Sequence, residues 1–80
     1  MKQTEVLATF AGIINQETRY SVDVITMDKT LEALDIDSLS TLTILVNAED
    51  AFGIKLVDTP AEQLTTIGEL VEFITESLKE

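Results

Sequence analysis

The residues best placed to do chemistry are Asp35, Asp37 and Ser38, where a long irregular stretch gives way to an apolar helix. A serine hydroxyl at a helix start either caps the helix or stays free for modification, and the free N–H groups there favour a bound anion. Asp37 is as suitable a cap as Ser38, and capping by Asp37 leaves the Ser38 hydroxyl pointing outward. The residues alone therefore leave Ser38 with two roles, a structural cap or a point of modification.

Composition excludes most catalytic and metal chemistry. The chain has no cysteine and no histidine, which removes disulfides, thiolate nucleophiles, the usual zinc ligands and hydrolytic triads. A calcium loop starting at Asp35 fails, because its sixth residue is Ser40 rather than glycine and its twelfth is Val46 rather than glutamate. The three glycines are scattered and form no phosphate-binding loop. We therefore predict no catalytic residue and no metal ligand, and interpret the nearby acids as a solvated rim.

The helix predicted over residues 38–52 has a wider apolar surface than packing on one side requires. At 100° per residue, its apolar side chains span an arc of about 220°. One part of this arc can face the core, while Leu39, Leu42 and Val46 form a second stripe beside Ser38. An exposed apolar stripe indicates a partner site. The alternative is that the long preceding loop covers the stripe.

Two patterns precede this helix. Apolar residues at three- and four-residue spacing predict a first helix over residues 4–15, with Thr4 as its N-cap. Residues 16–37 lack helical period, so we predict a long first loop there, with a turn of helix near Leu31–Leu34. We expect this loop to lie across the helices through four apolar anchors. These anchors are Val24, Ile25, Leu31 and Leu34.

Several turn signals follow the second helix. Gly53 can take the left-handed conformation that ends a helix, and residues 54–57 form an extended apolar run. Capping boxes at Thr59–Glu62 and Thr66–Glu69 then open a short helix and a last helix over residues 67–78. The predicted fold is all-α, a small four-helix bundle with three main helices, one short helix and a long first loop. Its expected core includes Phe10, Ile14, Leu45, Phe52, Leu70 and Ile74.

Length and charge bound the class of protein. Eighty residues, of which 45% are hydrophobic, predict one small folded domain over residues 1–80. The net charge is −10, and residues 31–80 carry most of it, with eleven acids against two bases. Such a field repels nucleic acid and anionic membranes and favours basic protein surfaces. Without a long apolar run or a signal-peptide pattern, we expect a free-standing, cytoplasmic monomer that does not insert into membranes.

The stretch around Ser38 resembles the attachment motif of the acyl carrier protein family and reads Leu34-Asp35-Ile36-Asp37-Ser38-Leu39. The resemblance covers essentially the full chain, because the order and spacing of the downstream segments are similar too. These segments are Glu49-Asp50-Ala51-Phe52-Gly53-Ile54, Thr59-Pro60 and Leu64-Thr65-Thr66-Ile67-Gly68-Glu69-Leu70. The resemblance implies that a phosphopantetheinyl transferase attaches 4′-phosphopantetheine from coenzyme A to Ser38. The thiol of that group then holds an acyl group as a thioester.

The same resemblance implies roles for further residues. Asp37 serves recognition by the transferase, and Leu39 lies beside the attached cofactor. The second helix becomes the partner-recognition helix, on which five positions match: Leu39, Leu42, Val46, Glu49 and Asp50. Three positions depart from the usual family pattern. Asp35 stands where glycine is usual, and Ser40 and Thr43 stand where acids are common, so the recognition surface is less acidic near Ser38.

We therefore predict an acyl carrier protein, not an enzyme, that carries intermediates of fatty-acid, polyketide or related lipid biosynthesis. Its expected partners are the transferase and acyl-loading and acyl-processing enzymes of ketosynthase, acyltransferase or ligase type, with basic docking surfaces. One alternative is an aminoacyl or peptidyl carrier of a nonribosomal peptide pathway, although such carriers more often have two glycines where Asp35 and Ile36 stand. The other alternative is an unmodified helical interaction module that uses the apolar stripe.

Overall fold

The computed structural model describes residues 2–79, which form three α-helices and two 3-10 turns. The helices are α1 (Gln3–Glu17), α2 (Ser38–Phe52) and α3 (Ile67–Lys79), and the 3-10 turns are Val22–Val24 and Pro60–Gln63. Within residues 2–79 there is no strand, only an isolated antiparallel bridge between Thr30 and Thr66. The predicted all-α class is confirmed, with a 3-10 turn in place of the short helix. No helix in this range is both long and apolar enough to cross a membrane.

Helix α1 begins before its predicted N-cap, so the assignment of Thr4 as the cap is wrong. Lys2 takes the extended N-cap conformation, and its backbone N–H donates to the Glu5 carboxylate at 2.9 Å. The apolar stripe of α1 starts at Val6, so its spacing could not show that the helix begins one polar turn earlier, at Gln3. A glutamate near the helix start satisfies a backbone N–H that has no partner within the helix, which lets the helix begin earlier.

Helix α1 packs against α2, α3 and the Val22–Val24 turn. All six predicted core residues are buried, with Phe10, Ile14 and Ile74 fully so. Burial of one such side chain stabilises the fold by about 1.5–3 kcal/mol, before the cost of ordering the chain. The core therefore holds one face of α2 and leaves its opposite face available.

Both ends of α2 agree with the predicted bounds of residues 38–52. At its C-terminal end Gly53 takes the left-handed conformation, with φ of 68°, and its N–H donates to the Glu49 carbonyl at 2.8 Å. A residue with a Cβ is disfavoured in this conformation, which is why glycine marks the stop.

Of the two predicted capping boxes, the second is confirmed and the first is only half formed. The Thr66 hydroxyl accepts from the Glu69 N–H at 3.1 Å, and the Glu69 carboxylate accepts from the Thr66 N–H at 3.2 Å. In the first box the Thr59 hydroxyl accepts from a backbone N–H, but the Glu62 carboxylate bonds to the N–H of Asp58 rather than of Thr59. The tighter 3-10 turn moves Glu62 out of reach of its expected partner.

The long loop is anchored by three of its four predicted residues. Ile25, Leu31 and Leu34 are buried, but Val24 is 44% exposed, so its assignment as an anchor is wrong. Val24 lies in the Val22–Val24 turn, none of whose residues is buried. The composition of the loop did not indicate this turn. The turn near Leu31–Leu34 is present, with the Leu34 N–H donating to the Leu31 carbonyl at 3.2 Å.

Three backbone hydrogen bonds fasten this loop to the start of α3. The Leu31 N–H donates to the Thr65 carbonyl at 2.9 Å, the Ile67 N–H to Lys29 at 2.9 Å and the Gly68 N–H to Met27 at 2.8 Å. We call these three bonds the loop clasp. The clasp fixes the stretch that leads into Ser38.

Candidate functional site

Ser38 is the first residue of α2 and is exposed. Asp37, in the extended conformation, is the N-cap, and its Oδ1 accepts from the Ser40 N–H at 2.8 Å. The structure thus decides between the two capping arrangements that the sequence left open. Because Asp37 caps the helix, the Ser38 hydroxyl is not used for capping, and the residue is exposed.

Asp37 carries a negative charge immediately before Ser38. The hydrogen bond from the Ser40 N–H lowers the pKa of its carboxyl below the ordinary value, since that bond favours the charged form. The charge also lies at the positive end of the helix dipole, which is a favourable position for an anion. The site therefore presents a neutral hydroxyl beside a carboxylate that is ionised at neutral pH.

The turn before Asp37 depends on the left-handed backbone of Asp35, whose φ is 58°. Its N–H donates to the Glu32 carbonyl at 3.0 Å, and the next N–H, of Ile36, donates to the Leu31 carbonyl at 3.0 Å. Aspartate tolerates this conformation better than most residues, although less well than glycine. Asp35 thus takes a backbone conformation that glycine would adopt more readily.

A cleft of about 710 Å³ opens beside Ser38. Its walls come from the loop, from α2 and from the segment around the Pro60–Gln63 turn. One lining residue, Leu45, belongs to the buried core. The lining residues are Thr30, Leu31, Glu32, Ile36, Ser38, Thr41, Leu42, Leu45, Glu62, Leu64 and Thr65. Sequence reasoning missed the contribution of Thr30, Glu62 and Leu64, because residues this far apart along the chain share no local signal.

The apolar stripe on α2 lies beside this cleft and remains exposed. Leu39 is 74% exposed, Leu42 41% and Val46 48%, while Leu45 and Ala48 on the opposite face are buried. The alternative that the loop covers the stripe is therefore wrong, since the clasp holds the loop against the start of α3 instead. An exposed apolar stripe on a helix next to the exposed Ser38 is a surface fit for contact with another protein.

Glu49, one of the five predicted partner positions, has a structural role in addition. Its Oε2 accepts from the backbone N–H groups of Leu56 and Val57 at 2.6 and 2.8 Å, and these bonds lower the pKa of its carboxyl. The extended run after Gly53 has N–H groups without helical partners, which is the signal that could have revealed this role. Asp50, by contrast, is exposed on the helix surface.

The sequence of the chain matches a known family and several known proteins. The phosphopantetheine attachment site family matches residues 8–74, a span that includes Ser38, the stripe and the clasp. The chain is 45% identical over 71 residues to the acyl carrier protein of Arthrobacter sp. (strain FB24), covering 88% of each protein. It is 44% identical over 71 residues to that of Myxococcus xanthus, covering 88% of this chain and 90% of the relative.

A solved structure supports the same conclusion. The acyl carrier protein from Enterococcus faecalis superposes with a TM-score of 0.77 at 31% identity, over 96% of this chain and 99% of that one. The chain therefore belongs to the acyl carrier protein family, whose members are carriers rather than enzymes and bear 4′-phosphopantetheine as their prosthetic group.

Proposed function

We propose that Ser38 is the residue that bears 4′-phosphopantetheine and that the protein carries acyl intermediates on it. The observation that supports this most strongly is that the residue capping α2 is not Ser38. Asp37 caps the helix, and Ser38 stands exposed beside the cleft with its hydroxyl unused by the cap. The residues present fit the group, because a phosphodiester at this position meets the free N–H groups and the positive dipole of a helix start.

In the loading reaction, the Ser38 oxygen forms a bond to the phosphorus that bears the pantetheine arm of coenzyme A. The bond from that phosphorus to the bridging oxygen of the diphosphate breaks, and adenosine 3′,5′-bisphosphate leaves. The serine proton passes to a base on the transferase. The chain itself supplies no such base, since it has no histidine and Asp37 is already engaged with the Ser40 N–H. We assign Asp37 to recognition by the transferase, and Leu39 to contact with the attached arm.

When bound, the cofactor supplies a thiol that this cysteine-free chain lacks. The cleft at Ser38 continues toward the aliphatic core and offers an apolar floor to the cargo, formed in part by Leu45 and Leu64. We infer an acyl cargo from fatty-acid, polyketide or related lipid biosynthesis. We also propose that the carrier domain spans residues 1–80 and that the protein works as a monomer in the cytoplasm.

The proposed partner surface consists of Leu39, Leu42, Val46, Glu49 and Asp50 on α2. The three apolar members supply area that a partner can desolvate, and the acids attract basic docking surfaces. The partners are a phosphopantetheinyl transferase and enzymes that load or process acyl groups. Glu49 contributes chiefly by holding the segment after α2, since its Oε2 is bonded to two backbone N–H groups.

Intact mass measurement after loading tests the attachment site. The protein is incubated with coenzyme A and a broad-specificity phosphopantetheinyl transferase, alongside the variants Ser38→Ala and Ser40→Ala. We expect one phosphopantetheine adduct on the wild type and on Ser40→Ala, and none on Ser38→Ala. An adduct on the Ser40→Ala control shows that loss of a nearby hydroxyl does not prevent modification. Absence of any wild-type adduct with several transferases, or an adduct on Ser38→Ala, contradicts the proposal.

A further inference from the structure

The partner-facing side of α2 is uncharged over most of its length. None of residues 38–48 is Asp, Glu, Lys or Arg, although charged residues make up 25% of the chain and its net charge is −10. The large exposed side chains in this range are Leu39, Leu42 and Val46. A partner that covers this part of the helix therefore meets hydrocarbon and small polar groups rather than carboxylates.

Two hydroxyl groups near the stripe already have partners within the helix. The Thr41 hydroxyl donates to the Asp37 carbonyl at 2.8 Å, and the Thr43 hydroxyl donates to the Leu39 carbonyl at 3.2 Å. Their donor hydrogens are thus satisfied before any partner arrives. A partner surface can cover them without supplying an acceptor and without leaving a buried donor unpaired.

The charges that flank the stripe are unequal at its two ends. At the Ser38 end, Asp35 and Asp37 are exposed acids. At the other end Glu49 and Asp50 border a groove together with Lys55, so one positive charge offsets only part of the negative charge there. The negative field of this surface is therefore strongest at its Ser38 end.

Distance separates that field from the far half of the stripe. Val46 lies nine residues beyond Asp37, roughly 14 Å along the helix axis at the usual rise per residue. Charges in water at physiological salt are screened over about 8 Å. A basic group on the partner that faces the middle of α2 therefore gains little from Asp35 and Asp37.

We propose, building on the proposed carrier function, that partner enzymes cover the middle of α2 with an uncharged apolar recess. Their basic residues face the acids at the ends of the stripe, chiefly Asp35 and Asp37 at the Ser38 end. Contacts with Leu39, Leu42 and Val46 hold the complex, and charge steers the approach of Ser38. A negative charge placed in the middle of the stripe is then desolvated without a partner and weakens docking. A basic docking surface that extended along the helix would respond in the opposite way.

The test uses the transferase of the protein's own organism and measures the KM of the carrier for loading with coenzyme A. The first pair is Thr43→Glu and Thr43→Gln, which differ in charge but not in size. The second is Asn47→Asp against the wild type, an exposed position where the two side chains have the same shape. Far-UV circular dichroism confirms that each variant keeps its helices, and Asn47→Asp decides the matter if Thr43→Glu does not fold.

We expect the KM of Thr43→Glu to exceed that of Thr43→Gln about fivefold or more, since a desolvated and unpaired charge is costly. Asn47→Asp should raise the KM in the same direction. An equal or lower KM for the acidic variants overturns the inference, because it means that the partner presents basic groups along the helix. That outcome leaves the carrier function intact, whereas failure of the wild type to load at all contradicts the carrier function itself.

Discussion

Replacing Gly68 with alanine should destabilise the protein, whereas the same change at Gly12 should stabilise it. A Cβ at Gly68 would lie 2.9 Å from the carbonyl oxygen of Met27, and 3.6 Å from its carbonyl carbon. The neighbour is backbone rather than the end of a flexible side chain, so the chain itself must move. That carbonyl also accepts the Gly68 N–H at 2.8 Å, one of the three clasp bonds.

The two changes differ in sign because only one of the positions is crowded. At Gly12, inside α1, a Cβ would meet nothing within 4 Å, so alanine should gain its helix preference of about 0.5–1 kcal/mol. At Gly68 overpacking and loss of a backbone hydrogen bond should outweigh that gain and cost about 1–2 kcal/mol net. For a domain of this size the melting temperature should rise by about 2–8 °C in Gly12→Ala and fall by about 4–16 °C in Gly68→Ala.

Thermal and urea unfolding followed by circular dichroism measure both effects. Amide hydrogen exchange locates them, since only Gly68→Ala should speed exchange at Leu31, Ile67 and residue 68, whose N–H groups form the clasp. A Gly68→Ala variant as stable as the wild type refutes the argument that the close approach of Met27 requires glycine. A Gly12→Ala variant that is destabilised refutes the assumption that its surroundings are open.

Two further changes test the acids around the site. Glu49→Gln should be less stable than the wild type at neutral pH, and the difference should shrink as the pH falls through the depressed pKa of Glu49. The folded carboxylate has a lower pKa than the ordinary value of about 4.3, so its contribution is present above that value and is lost in acid. Melting curves of Glu49→Gln and the wild type across pH measure this difference in stability, with Asp50→Asn as a control that leaves the bonds to Leu56 and Val57 intact. A difference in stability that does not change with pH contradicts the prediction. Asp35→Gly should raise the free energy of unfolding by up to about 1 kcal/mol and Asp35→Ala should lower it, because φ there is 58°; urea unfolding showing the opposite order contradicts this reasoning.

Local signals were sufficient for much of the fold. The bounds of α2 followed from the apolar period between Ser38 and Phe52 and from the stop at Gly53. The Thr66–Glu69 capping box fixed the start of α3 in the same way. Each of these features depends on hydrogen bonds or side-chain contacts within about four residues, so the sequence nearby contains the whole cause. The width of the apolar arc likewise indicated that α2 has more apolar surface than the core can cover.

Contacts between distant parts of the chain decided the rest. The sequence alone determined that Ser38 opens an apolar helix in a chain without histidine or cysteine, but two caps fitted equally well until the backbone placed Asp37 in that position. Only the tertiary structure brought Glu49 to two N–H groups beyond Gly53 and brought Gly68 against Met27. Such contacts depend on how packed helices position segments far apart in sequence, and no local pattern specifies that arrangement. Interactions between residues close in sequence thus determined helix α2, and packing determined the cleft and the exposed stripe beside it.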